Sequence, residues 1–534
     1  MFTPRYPVIL AVMAMLLLAG GCNNSPVTPD GEKKAGSRKK QNVTGNRKPR
    51  TPVKRKSRSS LVTGYQPTHQ GIYLPETMKI ISLIDDSVTF GPTLVIWLLD
   101  RSRSASPLVD NVIGHLRDYY LDPRTRAGDP AQEDRLLSTV VTFGNTTDYL
   151  LASPTGVGTE VAAAMESITV DASGRENGFS AVQDVTDRHL AFRTKKRREV
   201  IVIVVTDEAG DDQQQVDPLI KNLVKYAIPV YVIGTPAPLG RNAVIHPSTE
   251  APLDFKSDGT WKPIIQGPES RYSERIVLDR WGSSFGWDRV HSGFGPFAWE
   301  YLSRATGGSY LVVKLAGYSP EMLRGPFGRT GSSLIGSYDA ALMQRYTPDY
   351  GSETRYQEIL AQNAACHALH DAAQLGRRQI LTNPVTEFAY KSEAQLNKDV
   401  TRAQLAAARL EPEINTLYEI LKKGETDRAR LTLPRWQAGY DLAMGRAIAA
   451  KVRIEGYNAI LAVLKRGRRF EQETSTHWIL EPANTIDAGS TLQKLSGRAQ
   501  TYLQRVIKDH AGTPWAKLAE QELQTPVGWK WTER

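Results

Sequence analysis

Residues 92–104, PTLVIWLLDRSRS, decide the fold because they join a buried strand to a set of polar side chains at its end. The run TLVIWLL at 93–99 is apolar almost without interruption, which is typical of a strand covered on both faces. Asp100, Ser102 and Ser104 follow at alternate positions. In open α/β sheets, ligands bind beyond the carboxyl ends of the strands. One carboxylate and two hydroxyls there form an all-oxygen set, which suits Mg²⁺, Mn²⁺ or Ca²⁺ rather than zinc.

The same spacing has a simpler interpretation as turn chemistry. Aspartate and serine are common loop residues, and Asp100 would then cap the helix that follows the strand. The motif is therefore informative only together with the rest of the chain.

Strand and helix patterns alternate between residues 93 and 313, which predicts a doubly wound, mostly parallel sheet. Within this part lies a long insertion, at about residues 235–294, that contains several prolines and Trp261, Trp281 and Trp287. Loops of this length in a compact domain are usually functional or disordered, and the tryptophans argue against disorder. We expect an ordered flap and a candidate partner surface. Alternatively, the insertion covers the edge of the sheet or packs on the next domain.

Three segments of this α/β part resemble the von Willebrand factor type A (vWA) domain and its metal-ion-dependent adhesion site (MIDAS). They are Asp100-x-Ser102-x-Ser104, the loop GRENG at 174–178, and Asp207 after the next fully apolar strand. The resemblance implies that Asp100, Ser102, Ser104 and Asp207 hold a divalent cation, Mg²⁺ first and Mn²⁺ or Ca²⁺ as alternatives. It also implies a coordination position left for water or for an acidic group of a partner.

Glu176 departs from the family pattern, because it occupies the loop position that is usually threonine. If its carboxylate reaches the ion, Asp100, Glu176 and Asp207 together over-neutralise a dication. Ion binding would then tighten, and the attraction for an acidic partner group would weaken. Alternatively, Glu176 is a first-turn helix residue that is stabilised by the helix dipole.

The amino terminus has the pattern of an export signal. Arg5 precedes an apolar stretch at 8–19 that is too short to remain in a bilayer as a spanning helix. The sequence LAGGC at 18–22 resembles the lipobox of bacterial lipoproteins, which implies cleavage before Cys22 and lipidation of that residue. Alternatively, this is an ordinary secretory signal and Cys22 is incidental. Cys366 is the other of the two cysteines, so lipidation of Cys22 would leave no intramolecular disulfide.

Residues 23–60 carry the charge of the chain. They contain twelve basic and two acidic residues, which gives +10, the same as the formal net charge of the whole chain. Because Arg5 adds one more positive charge, residues 61–534 sum to −1. The composition predicts a disordered tether that either contacts anionic lipid headgroups or acts as a solvated spacer. For an exported lipoprotein we expect no nucleic-acid partner.

The carboxyl-terminal part has helical spacing almost throughout and ends in a pattern that looks like one tetratricopeptide-type hairpin, at 491–523. The predicted organisation is a lipoprotein signal peptide (1–22), a basic tether (23–60), a lead-in segment (61–92), a vWA-like domain (93–313) and a helical domain (314–534).

We predict a cell-envelope lipoprotein that is anchored to a bacterial membrane and is not an enzyme. Its vWA-like domain would bind a divalent metal and mediate adhesion or interaction with an as yet unidentified protein. The first alternative is an envelope assembly scaffold that binds through its helical region and keeps a structural or vestigial metal site. The second, a metal-dependent hydrolase that uses Asp100, is disfavoured because the sequence offers no histidine or lysine near the motif and no glycine-rich phosphate loop.

Overall fold

The structure, a computed structural model, describes residues 74–242, 253–255, 261–263, 265–279, 290–313 and 338–534. The strands are β1 (Thr93–Asp100), β2 (Leu136–Phe143), β3 (Thr147–Tyr149), β4 (Glu199–Thr206), β5 (Val230–Gly234), β6 (Leu253–Phe255), β7 (Trp261–Pro263), β8 (Val277–Leu278), β9 (Tyr310–Val312), β10 (Arg377–Arg378), β11 (Glu387–Ala389), β12 (His477–Ala483) and β13 (Gly528–Glu533). The helices are α1 (Pro75–Phe90), α2 (Ser106–Leu121), α3 (Gly158–Glu166), α4 (Gly178–Thr194), α5 (Val216–Tyr226), α6 (Phe297–Ala305), α7 (Ala340–Gln344), α8 (Glu353–Gln362), α9 (Ala364–Gln374), α10 (Glu393–Ala408), α11 (Glu411–Lys422), α12 (Pro434–Lys465), α13 (Ser490–Asp509) and α14 (Pro514–Leu523).

The main sheet has six strands in the order β3-β2-β1-β4-β5-β9. β2, β1, β4, β5 and β9 are parallel to one another, and β3 pairs antiparallel with β2 at the edge. Parallel strands need crossover connections, and helices provide them here. The predicted fold class, a doubly wound and mostly parallel sheet followed by a helical carboxyl-terminal region, is confirmed.

Two apolar cores cover the two faces of this sheet, and β1 contributes to both because side chains alternate along a strand. Leu94 and Ile96 pack with α4, α5 and α6 on one face. Val95 and Trp97 pack with α1, α2 and α3 on the other. Every residue of β1 is buried, as the apolar run at 94–99 predicts. α1 lies in the part of the chain for which the sequence analysis predicted only a lead-in segment.

The carboxyl-terminal region packs around α12, a helix of 32 residues. It also contains a small antiparallel sheet, β11-β12-β13, that the sequence analysis did not predict. Trp529 and Trp531 lie on β13 and donate hydrogen bonds to carbonyls of α12. The described residues of the α/β part and of the helical region belong to one compact unit, Leu61–Arg534.

Several sequence predictions lie outside the described residues. They are the signal segment with Cys22, the basic tether, Trp281 and Trp287. Among the helices that the structure describes, none combines the length and the apolar character needed to cross a bilayer.

Candidate metal centre

The candidate site is built where β1 and β4 end side by side. The two strands are parallel neighbours, with Leu99 opposite Val205, so that Asp100 and Thr206 end them at the same level. Thr206 Oγ1 donates a hydrogen bond of 2.7 Å to Asp100 Oδ2, and the backbone N–H of Ser102 donates one of 2.8 Å to Asp100 Oδ1. Both carboxylate oxygens of Asp100 are thereby held in fixed directions.

Two serine hydroxyls connect this first loop to Asp207, which follows β4. Ser102 Oγ and Ser104 Oγ lie 3.1 Å apart, and Ser104 Oγ donates to Asp207 Oδ1 at 3.3 Å. The other carboxylate oxygen, Asp207 Oδ2, is buried and has no hydrogen-bond partner among the described residues. A buried acceptor in this state costs free energy, which a cation at this position would relieve.

A second loop brings Glu176 to the same end of the sheet. The backbone N–H of Asp171 donates to Arg101 O at 2.8 Å, which joins the second loop to the first. Glu176 N donates to Asp211 Oδ2 at 3.2 Å, and Asp211 N donates to Glu176 O at 2.9 Å. Glu176 is fully buried, with an exposed fraction of 0%, and α4 begins two residues later at Gly178.

The three carboxylates influence one another electrostatically. Burial raises the pKa of Asp100 to about 7; the charge of Glu176 adds to the rise, and hydrogen bonds from Thr206 and Ser102 oppose it. Burial, together with the charges of Asp100 and Glu176, raises the pKa of Asp207 well above its ordinary value. Carboxylates that are buried near one another favour protonation unless a positive charge compensates them.

The donor set decides which cation fits this site. Across the described residues, no group of three or more histidine, cysteine, aspartate or glutamate side chains is arranged to hold a metal ion. A cation here would therefore depend on the hydroxyls of Ser102 and Ser104 as well as on Asp100 and Asp207. Such an all-oxygen set fits a hard dication such as Mg²⁺, Mn²⁺ or Ca²⁺.

The structure also reveals supporting residues that the sequence analysis missed. Trp299 of α6 donates from Nε1 to Glu208 O at 3.1 Å, and its ring stacks on Phe179 with the centroids 4.1 Å apart. Asp212 accepts hydrogen bonds from the N–H groups of Phe179 and Ser180, so that it caps the start of α4 from another loop. These contacts join residues that are far apart in the chain, and no local sequence pattern predicts them.

No protein-family model and no curated protein matches this sequence. Parts of the chain are similar to solved structures. For the SpRpn10 VWA domain the identity is 15% over 28% of this chain and 77% of that chain, with a TM-score of 0.22. For the conserved hypothetical protein BatB from Bacteroides thetaiotaomicron it is 15% over 43% of this chain and 94% of that chain, with a TM-score of 0.27. For proximal thread matrix protein 1 from the mussel byssus, with a zinc-occupied MIDAS motif, it is 17% over 28% of this chain and 36% of that chain, with a TM-score of 0.23.

Similarity at this level says nothing about function, and the site is defined by the contacts of this chain. The strand order and the polar loops at the carboxyl ends of β1 and β4 give the α/β part a vWA-type fold.

Proposed function

We propose that this chain is a cell-envelope lipoprotein whose α/β domain binds a divalent cation and docks a partner protein there. The observation that carries the proposal is the convergence of Asp100, Ser102, Ser104 and Asp207, with one buried oxygen of Asp207 lacking a hydrogen-bond partner among the described residues. When bound, the cation supplies a focused positive charge that attracts an oxygen ligand of the partner. Binding and not catalysis is the proposed role.

The surroundings of the site suit a docking face. The guanidinium group of Arg101 is engaged in an ion pair of 2.6 Å with Asp148. Arg103, which lies between the two serines, is exposed, and so is Arg175 next to Glu176. A partner that reaches the ion would therefore also meet guanidinium groups, which favour carboxylate or carbonyl oxygens.

The envelope location rests on the amino-terminal sequence. The lipobox-like LAGGC at 18–22 would place a lipid anchor on Cys22, and residues 23–60 would separate that anchor from the α/β domain. This arrangement suits a module that binds a partner at a distance from the membrane.

A second candidate is an assembly scaffold in which the ion is structural. The burial of the site favours it, since Asp100, Glu176 and Asp207 are each exposed by 1% or less. In that case the helical region would bind the partner, and partner binding would not depend on the metal.

Titration of the full-length chain with Mn²⁺ and Mg²⁺ by calorimetry tests the proposed metal site. Asp100→Ala should weaken binding by at least about tenfold, because it removes one of the two carboxylate ligands. Asp487→Ala, which removes an exposed carboxylate of the helical region, is the matched control and should have no effect. Unchanged affinity in Asp100→Ala, with circular dichroism equal to that of the wild type, would refute the metal site.

Glu176→Thr in the same titration distinguishes the two interpretations of Glu176. If its carboxylate contributes to the ion's environment, the substitution should weaken metal binding by about fivefold, since it removes a negative charge beside the site. Equal affinity would show that Glu176 does not act on the ion. It would not make Glu176 a first-turn helix residue, because α4 begins at Gly178 with Asn177 as its N-cap.

A further inference from the structure

One segment of the long insertion connects the candidate metal site with the helical region. This connecting segment comprises residues 265–279. At its amino-terminal end, Ile265 O accepts a hydrogen bond of 2.7 Å from the backbone N–H of Ala209, two residues after Asp207. Pro268 O accepts one of 2.9 Å from Phe297 N, the first residue of α6. The segment therefore touches both the loop that carries Asp207 and the helix that carries Trp299.

The carboxyl-terminal end of the connecting segment is part of the helical region. Ile276 and Leu278 are buried in the apolar core formed by α8 to α13, and β8 pairs in parallel with β10. Asp279 forms an ion pair of 2.5 Å with Arg377, beside that pairing. Movement of the segment would therefore disturb the core of the helical region.

A buried ion cluster holds the middle of the segment against α12. Arg435 Nε donates to Glu274 Oε2 at 2.7 Å, and Arg435 Nη2 donates to Glu269 Oε1 at 2.7 Å. Glu269 and Arg435 are exposed by 0% and 6%. Glu269 Oε2 also accepts a hydrogen bond from the backbone N–H of Gly240, which connects the cluster to the loop that follows β5. We call Arg435, Glu269 and Glu274 the junction cluster.

The physical role of the junction cluster is positional. Desolvation offsets most of the attraction between buried charges, so that such clusters add little net stability compared with an apolar core. They do fix geometry, because a displaced member would leave a buried charge without its partner. Here that geometry sets where the connecting segment lies, and with it the hydrogen bond from Ala209 to Ile265.

We infer that the junction cluster positions the metal-site loop, so that the cation affinity of the α/β domain depends on an intact contact with the helical region. The inference rests on the proposed metal site and adds to it a dependence on residues outside the α/β domain. Loss of the cluster frees the connecting segment and loosens residues 207–212. It therefore lowers the affinity of the site for the cation. By linkage, a bound cation stabilises the junction by the same factor.

The test uses the full-length chain and a triple variant, Arg435→Met with Glu269→Gln and Glu274→Gln. Arg435→Met alone would leave two buried carboxylates without their positively charged partner. The triple variant leaves no charged side chain in the junction cluster and should fold. The matched control is Arg446→Met and Arg453→Met with Glu522→Gln, which removes another buried ion cluster of the helical region, with N–O distances of 3.2 and 2.6 Å, that lies outside the connecting segment. Mn²⁺ affinity is measured by calorimetry, and the exposure of residues 207–212 by hydrogen exchange.

The triple variant should bind Mn²⁺ at least about fivefold more weakly than the wild type and should exchange faster at 207–212, while the control variant changes neither. Unchanged affinity and unchanged exchange in the folded triple variant would overturn the inference. Equal weakening in the control would also overturn it, because the effect would then be general destabilisation. If the wild type binds no Mn²⁺, the proposed function fails, and the exchange at 207–212 alone decides whether the cluster positions the loop.

Discussion

Single ionisable residues are buried in this protein in three different ways. Arg435 lies against two carboxylates that compensate its charge, whereas Asp100 and Asp207 repel each other in the absence of a cation. A third case is His189 on α4, which is 4% exposed and whose Nε2 has no hydrogen-bond partner among the described residues. A histidine in such surroundings stays neutral when the protein is folded, which gives stability a pH dependence that can be measured.

His189→Gln should remove part of the loss of stability in mild acid. Burial lowers the pKa of His189 from 6.5 to about 4; Arg188 lowers it further and Asp184 opposes the shift. Between these values the unfolded chain takes up a proton that the folded chain refuses, so this contribution is complete above pH 6.5 and is lost as the pH falls towards 4. Between pH 7 and pH 4.5, we expect the free energy of unfolding of the wild type to fall by about 2 kcal/mol more than that of the variant.

Urea unfolding at several pH values measures this difference. His367→Gln is the control, because the side chain of His367 is 62% exposed. The free energy of unfolding of this variant should change with pH as that of the wild type does. Equal slopes in His189→Gln and the wild type would contradict the prediction.

At the scale of elements, close packing between α4 and α6 supports the loop that carries Asp207. α4 begins at Gly178, and a Cβ atom placed there would lie 2.7 Å from Trp299 Cζ2 and 3.2 Å from Phe143 Cε2. Trp299 is fully buried and donates to the carbonyl of Glu208. The absence of a side chain at Gly178 thus allows the indole to reach the site loop.

Gly178→Ala should destabilise the protein by about 1–3 kcal/mol, because the added methyl group overpacks a site between two aromatic side chains. The natural control is Gly91→Ala, since a Cβ atom there has nothing within 4 Å. Thermal unfolding of both variants is the measurement. A melting temperature of Gly178→Ala that equals that of Gly91→Ala would show that Trp299 adjusts without cost.

The elements that the sequence predicted well are those whose signal is local. β1 and β4 are continuous apolar runs, and the polar residues that follow them lie within a few positions, so fold class and site position could both be inferred. The small sheet could not, because β12 pairs with β13 some fifty residues further along the chain. For the long insertion the sequence left two placements open, an ordered flap or packing on the next domain, and the connecting segment does the second. The sequence could not decide between them, since nothing local indicates that Glu269 and Glu274 meet Arg435 across more than 160 residues.

At the scale of the whole molecule, the charge is divided unevenly along the chain. The net charge of +10 lies in residues 23–60, and residues 61–534 sum to −1. A flexible chain of those 38 residues would reach about 35 Å, and like charges would extend it. The described part has exposed basic runs of its own. One is Lys195, Lys196 and Arg197 after α4, and another is Lys465, Arg466, Arg468 and Arg469 at the end of α12, where Arg468 lies 3.8 Å from Glu471.

Binding to anionic vesicles should therefore come from residues 23–60 and not from the α/β or helical parts. A chain that starts at residue 23, and so lacks any lipid, should bind phosphatidylglycerol-containing vesicles at low salt. It should detach as the Debye length shrinks to about 3 Å near 1 M salt, because each basic residue contributes only about 1 kcal/mol. The comparison is the same chain with the twelve basic residues of 23–60 replaced by glutamine, followed by vesicle sedimentation. If that neutralised chain sediments as well as the original, the attraction resides in the exposed basic runs of the described part, and residues 23–60 are a solvated spacer.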